Sequence, residues 1–89
     1  MKDKEENSYI ALLKKTKGEI QQDKLIEGCC ILSSVLMQQR NHPHRNLTIE
    51  IEDGLASVLL WADLISLGYD EERINKRIAS KLKKHKKIL

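Results

Sequence analysis

Phenylalanine is absent from this 89-residue chain, proline occurs once, and Tyr9, Trp61 and Tyr69 are its only aromatic residues. With four glycines besides, it has few of the turn formers and β-favouring rings that a sandwich or barrel needs. No apolar run approaches the ~20 residues that span a bilayer. The start, Met1-Lys2-Asp3-Lys4-Glu5-Glu6, has no apolar stretch behind its basic residue, so no secretory leader is expected. A cytoplasmic protein without membrane association is the expectation.

Cysteine is confined to the adjacent positions Cys29 and Cys30, and sequence neighbours rarely meet disulfide geometry with each other. Reduced, buried thiols are expected. Together with His42, His44 and His85 they show no C-x-x-C or H-x-x-x-H spacing, which argues against a zinc site. His42 and His44 read as solvated loop residues.

What remains is helix-forming. Hydrophobic residues make up 40% and charged residues 33% of the chain, which fits a single folded domain and excludes wholesale disorder. Ala, Leu, Lys, Glu, Gln and Ile dominate, and their summed propensity favours α-helix. A chain this short buries a modest fraction of its surface, so pairing of subunits is expected to extend the core.

Charge is divided unevenly. Residues 1–72 hold eight basic and thirteen acidic side chains, a balance of −5. Residues 73–89 hold Arg73, Lys76, Arg77, Lys81, Lys83, Lys84, Lys86 and Lys87 and no acid.

Four helices are predicted. Ser8 would cap the first, which carries Tyr9, Ile10, Leu12, Leu13 and Ile20 and is weakened at Gly18. Asp23 would cap the second, in which Leu25, Ile26, Cys29, Cys30, Leu32, Val35 and Leu36 recur at spacings of three and four, ending near Gln39. Asn41 to Asn46 read as a loop, since Pro43 cannot continue a helix and biases His42 away from one. The third helix starts at Asn46 or Thr48. From Leu55 to Ile65 only Ser57 and Asp63 interrupt its apolar residues, and a helix apolar nearly all round is buried on more than one side. That pattern places it between its own chain and another subunit, with Leu55, Val58, Leu59, Trp61, Ala62 and Ile65 as interface candidates. Asp63, an acid in this run, would need a basic partner. Gly68 fits a helix C′ position and Asp70 an N-cap, with Glu71 and Glu72 in the first turn of the fourth helix. Ile74, Ile78 and Leu82 form that helix's apolar stripe. The fold expectation is an all-α four-helix bundle in a homo-oligomer, a dimer or tetramer. Residues 1–22 form its first helix and N-terminal arm, and residues 23–87 its helical core with a basic C-terminal helix.

The stretch Asp53-Gly-Leu-Ala-Ser-Val-Leu-Leu-Trp-Ala-Asp-Leu-Ile-Ser-Leu-Gly-Tyr-Asp-Glu-Glu, followed by Lys81-Leu82-Lys83-Lys84, resembles the MazG-like all-α nucleoside triphosphate pyrophosphohydrolases. Their Glu-Glu-x-Ala-Asp-Val-Leu block opens a long apolar helix, and a Gly-containing turn leads to a last helix with a basic segment. Upstream, Lys24-Leu-Ile-Glu-Gly-Cys-Cys-Ile-Leu is similar to the family's Glu-Glu-x-x-Glu helix. The resemblance covers about residues 24–87. It implies a helical bundle in which carboxylates from two facing helices hold Mg²⁺, which clamps a triphosphate and helps generate a water nucleophile.

The acids themselves depart from the pattern. Glu27 stands on the leading Glu, but Gly28 and Ile31 occupy acid positions, Gly54 takes the place of the metal-binding Glu, and Ser57 that of the Asp. Three or four ligand positions are emptied, so the resemblance implies a degenerate member that binds a nucleotide-type ligand or a macromolecular partner without hydrolysis. Lys81 and Lys84 would then meet phosphate, with Trp61 as the aromatic candidate. Two alternatives follow. Glu50-x-x-Asp53 repeats the Glu-x-x-Asp spacing one turn earlier, and with Glu27 and Glu52 it would make a displaced Mg²⁺ site for an active pyrophosphohydrolase. The basic C-terminal helix, residues 73–89, would otherwise dock on nucleic acid or an acidic protein. The plainer readings are first-turn helix acids for Glu27, Glu50, Glu52 and Asp53, core packing for Trp61, and a solvated helix end for the lysines.

Overall fold

The computed structural model describes residues 18–86 together with Ser8, Ala11, Leu12, Lys15 and Thr16. Three helices are complete among them: α1 (Glu19–Asn41), α2 (Thr48–Ser66) and α3 (Glu71–His85). Ser8, Ala11, Leu12 and Lys15 are also helical, and no strand occurs among the described residues. The all-α expectation holds. Tyr9, Ile10 and Leu13 of the first predicted helix lie outside the described residues. None of the described helices is long and apolar enough to cross a membrane.

Glycine at position 18 divides the N-terminal segment from α1. Thr16 closes the preceding turn, its amide and its hydroxyl both donating to Leu12 O, at 2.9 and 2.6 Å. Gly18 then adopts φ +41°, a region costly for any residue with a Cβ. The long helix therefore begins at Glu19, and Asp23 sits inside it instead of capping it. Aspartate is a frequent N-cap but also a tolerated early helix residue, whereas a positive φ ends a helix outright. Gln21, the one buried polar side chain among the described residues, bonds back across the break. Its Nε2 donates to Thr16 O at 2.8 Å.

At the other end α1 runs two residues past Gln39, to Asn41. Pro43 follows in the turn, as its missing N–H and fixed φ dictate. Gln39 ties the loop together, Nε2 donating to Arg45 O (2.8 Å) while Oε1 accepts from Leu47 N (3.2 Å). Asn46 Oδ1 accepts from Thr48 N at 3.1 Å, so the helix start expected at Asn46 or Thr48 is at Thr48.

α1 and α2 form an antiparallel hairpin whose register is set by two glycines. Gly28 faces Ser57 and Val58, and Gly54 lies against Leu32. A Cβ built on Gly28 would stand 3.5 Å from Val58 Cγ2, an ordinary contact, whereas one on Gly54 would stand 3.1 Å from Leu32 Cδ1. Leu47 and Leu64 are the buried apolar side chains among the described residues. They close the hairpin at its loop end and its open end.

One face of α2 meets α1, but the helix is not buried on more than one side within the chain. Leu55 and Leu59 are 44% and 67% exposed. Cys29 and Cys30 are free and exposed, not buried. The hairpin uses one face of α1, and neighbouring residues 100° apart both fall outside it.

α2 ends without a left-handed residue, since Gly68 does not have positive φ. Instead the turn tightens through i→i−3 bonds, Gly68 N to Ile65 O and Tyr69 N to Ser66 O, both 3.0 Å. Asp70 then caps α3 as expected, its Oδ1 accepting from Arg73 N at 3.0 Å. Asp70 Oδ2 also pairs with Arg73 Nε at 3.2 Å. Replacing Asp70 by Ala is expected to cost about 1 kcal/mol, the usual worth of an N-cap. The loss should appear as fraying of α3 in amide hydrogen exchange, with the α1–α2 hairpin unchanged.

Candidate functional site

α3 presents two chemically opposite faces. At 100° per residue, Ile74, Ile78 and Leu82 fall within an arc of about 80°. Arg73, Lys76, Arg77, Lys83 and Lys84 occupy the opposite arc, and Lys81 lies at the margin beside Ile74. Every α3 residue is exposed except half-buried Ile74. Lys83, Lys84 and His85 stand in the last turn, where the helix dipole favours cations, and Glu71 and Glu72 in the first, where it favours acids.

Three concavities surround this helix and the hairpin. A groove of about 590 Å³ separates α2 from α3, with Ala56, Leu59, Asp63, Ile74 and Ile78 among its lining residues. Asp63 is thus exposed on the groove side of α2 rather than buried. A second hollow, about 510 Å³, lies at the open end of the hairpin between Gln21, Leu64 and Tyr69. The third, about 220 Å³, is lined by Tyr69, Asp70, Arg73, Ile74 and Arg77. Tyr69 is 67% exposed there, beside two guanidinium side chains. An aromatic face and two arginines offer stacking and bidentate anion contacts in one place.

The residues singled out from sequence are not gathered in this way. Trp61 shares the helix face of Gly54 and Val58, the one turned to α1, and is half-buried. It lines none of the three concavities and does not join Lys81 or Lys84. Val58 faces Gly28 of its own chain, and Ile65 lines the hollow at the hairpin's open end. Leu55 and Leu59 remain exposed, and Leu59 and Ala62 line the α2–α3 groove. The interface candidates therefore divide between the two sides of α2.

The carboxylates do not converge within the chain. Glu27 is exposed and pairs with Lys24 across one helical turn, 3.8 Å apart. In the hairpin register Glu27 is level with Leu59, about 9 Å along the axis from the level of Asp53. Glu50, Glu52 and Asp53 are exposed, with Glu52 on the side of α2 turned away from α1. Among the described residues no group of three or more His, Cys, Asp or Glu is placed to hold a metal ion.

The Tyr69, Arg73, Arg77 cluster escaped the sequence reading, although its i, i+4, i+8 spacing was there to be read. Comparison with protein-family models, curated proteins and solved structures returns no match.

Proposed function

We propose that the chain is a non-hydrolysing, MazG-like four-helix protein that holds a phosphate-bearing, nucleotide-type ligand at the α2–α3 corner. The observation that carries this reading is the groove in which Tyr69 lies with Arg73 and Arg77. A base or sugar would stack on the Tyr69 ring while Arg77, and Arg73 released from Asp70, take phosphate oxygens. Lys84, on the same arc of α3, would extend the contact to further phosphates, with Lys81 at the edge.

The absence of hydrolysis is supported by the hairpin itself. Gly28 and Gly54 stand where the resemblance expects acids, and here they bring the two helices into contact. A Glu at position 54 would have to displace Leu32, so an inward carboxylate and its Mg²⁺ have no room between α1 and α2 at that level. The protein would sequester its ligand or act as a regulatory subunit, as a pseudoenzyme does.

The test pairs binding with turnover. Calorimetric titration with ATP is expected to show binding that weakens roughly 10-fold or more in Arg77→Gln, as loss of a charged hydrogen bond implies. Incubation with Mg²⁺ and mixed nucleoside triphosphates is expected to yield no monophosphate. Protein-dependent monophosphate would return the displaced site of Glu27, Glu50, Glu52 and Asp53 to consideration. No ATP binding, with tight binding of a DNA oligonucleotide and a steep salt slope, would favour the nucleic-acid reading.

A further inference from the structure

The hollow at the open end of the hairpin holds a polar group that the described fold uses only in part. Gln21 is 7% exposed and lines this space of about 510 Å³. Its Nε2 donates to Thr16 O at 2.8 Å and lies 3.4 Å from Thr16 Oγ1. A backbone carbonyl only accepts, so the amide is held with its nitrogen on Thr16. The carbonyl Oε1 remains, and no described residue donates to it. A largely buried acceptor gains from any donor brought to it. That acceptor is what the amide has to offer a molecule in the hollow.

The rest of the hollow suits a flat ring. Leu64, Ile65 and Leu67 line it together with Tyr69. Apolar walls with a few fixed polar groups, around a space of this size, are the usual build of a small-molecule pocket. Tyr69 also borders the groove of Arg73 and Arg77, so one aromatic side chain separates the hollow from the two guanidinium groups. A ring stacked on the hollow side of Tyr69 would bring an attached phosphate chain toward the arginines.

We propose that the hollow is the base subsite of the phosphate-binding corner, and that Gln21 selects bases bearing an exocyclic amino group, a selection that rests on the nucleotide reading of that corner. The adenine N6 and cytosine N4 amino groups are donors, whereas the uracil or thymine O4 is an acceptor. An amino group donates to Gln21 Oε1. A keto oxygen in the same place opposes it, lone pair to lone pair. Thr16 is the positioning residue. A glutamine free to turn its amide over would accept either kind of base, and the bond to Thr16 O removes that freedom.

Calorimetric titration of the full chain with ATP and with purine riboside triphosphate, which lacks only the 6-amino group, reads this selection. The analogue is expected to bind roughly 10-fold more weakly, as loss of one hydrogen bond to a buried acceptor implies. Gln21→Leu, folded by circular dichroism, is expected to bring the two ligands level. Because Gln21 also holds Thr16, the ligand pair on the unaltered chain decides the matter if that variant loses its structure. Equal affinities on the unaltered chain, with Arg77→Gln weakening both alike, would overturn selection by Gln21 and leave the phosphate site standing. A folded Gln21→Leu that keeps the preference for ATP would overturn it too. Binding of neither ligand would remove the phosphate site and the base subsite together.

Discussion

Leu64→Ala is expected to remove most of the stability of this protein. Leu64 is only 1% exposed, and it is the one fully buried large side chain among the described residues. Truncating a buried leucine costs about 2–5 kcal/mol through lost transfer energy and the cavity left behind. Small domains hold about 5 kcal/mol in total at the low end, so the variant should be largely unfolded near room temperature. The hollow beside Leu64, bordered by Thr16, Gln21 and Tyr69, offers little to collapse into the gap. Thermal unfolding followed by circular dichroism checks this. A midpoint within a few degrees of the parent would mean that the open end of the hairpin is not where its stability resides.

Gly54→Leu should be nearly as damaging, for the opposite reason. A Cβ at position 54 already stands 3.1 Å from Leu32 Cδ1 and 3.5 Å from Leu32 Cα. Three further carbons cannot fit without prising α1 from α2. Overpacking of this kind costs about 1–3 kcal/mol, which for a domain of this size lowers the midpoint by roughly 5–20 °C. Gly28→Ala is the control. Its Cβ would make ordinary contact with Val58 at 3.5 Å, and alanine gains up to about 1 kcal/mol over glycine in a helix interior. Stabilisation at position 28 and loss at position 54 would establish the hairpin register. Equal effects at both would contradict it.

Features set by local chemistry could be read directly from the residues. Asp70 caps α3, Thr48 opens α2 and Pro43 sits in the turn, because capping, helix propensity and a missing N–H act within a few residues of themselves. Asp23 misled for a related reason: a good capping residue was given the break that Gly18 makes, and only a backbone φ of +41° distinguishes them.

Features that depend on which helix faces meet were not legible. The apolar residues of α2 run almost all round it, so periodicity alone did not say that Val58 would face Gly28 while Leu59 would face the groove toward α3. Trp61 and Lys81 looked like parts of one site because both belong to the resemblance, yet the hairpin turns Trp61 toward α1. Tyr69, Arg73 and Arg77 meet only because the turn after α2 tightens at Gly68 and brings Tyr69 beside the first turns of α3.

The sequence by itself determined that the chain is helical, where two of its turns fall, and that its basic charge lies at one end. Composition, capping and proline act locally and need no partner. The tertiary structure alone decided the pairing register and the exposure of Cys29, Cys30 and Leu59. Each of those depends on how closely two helices approach, and at Gly54 that distance is set by a side chain 22 positions away, Leu32.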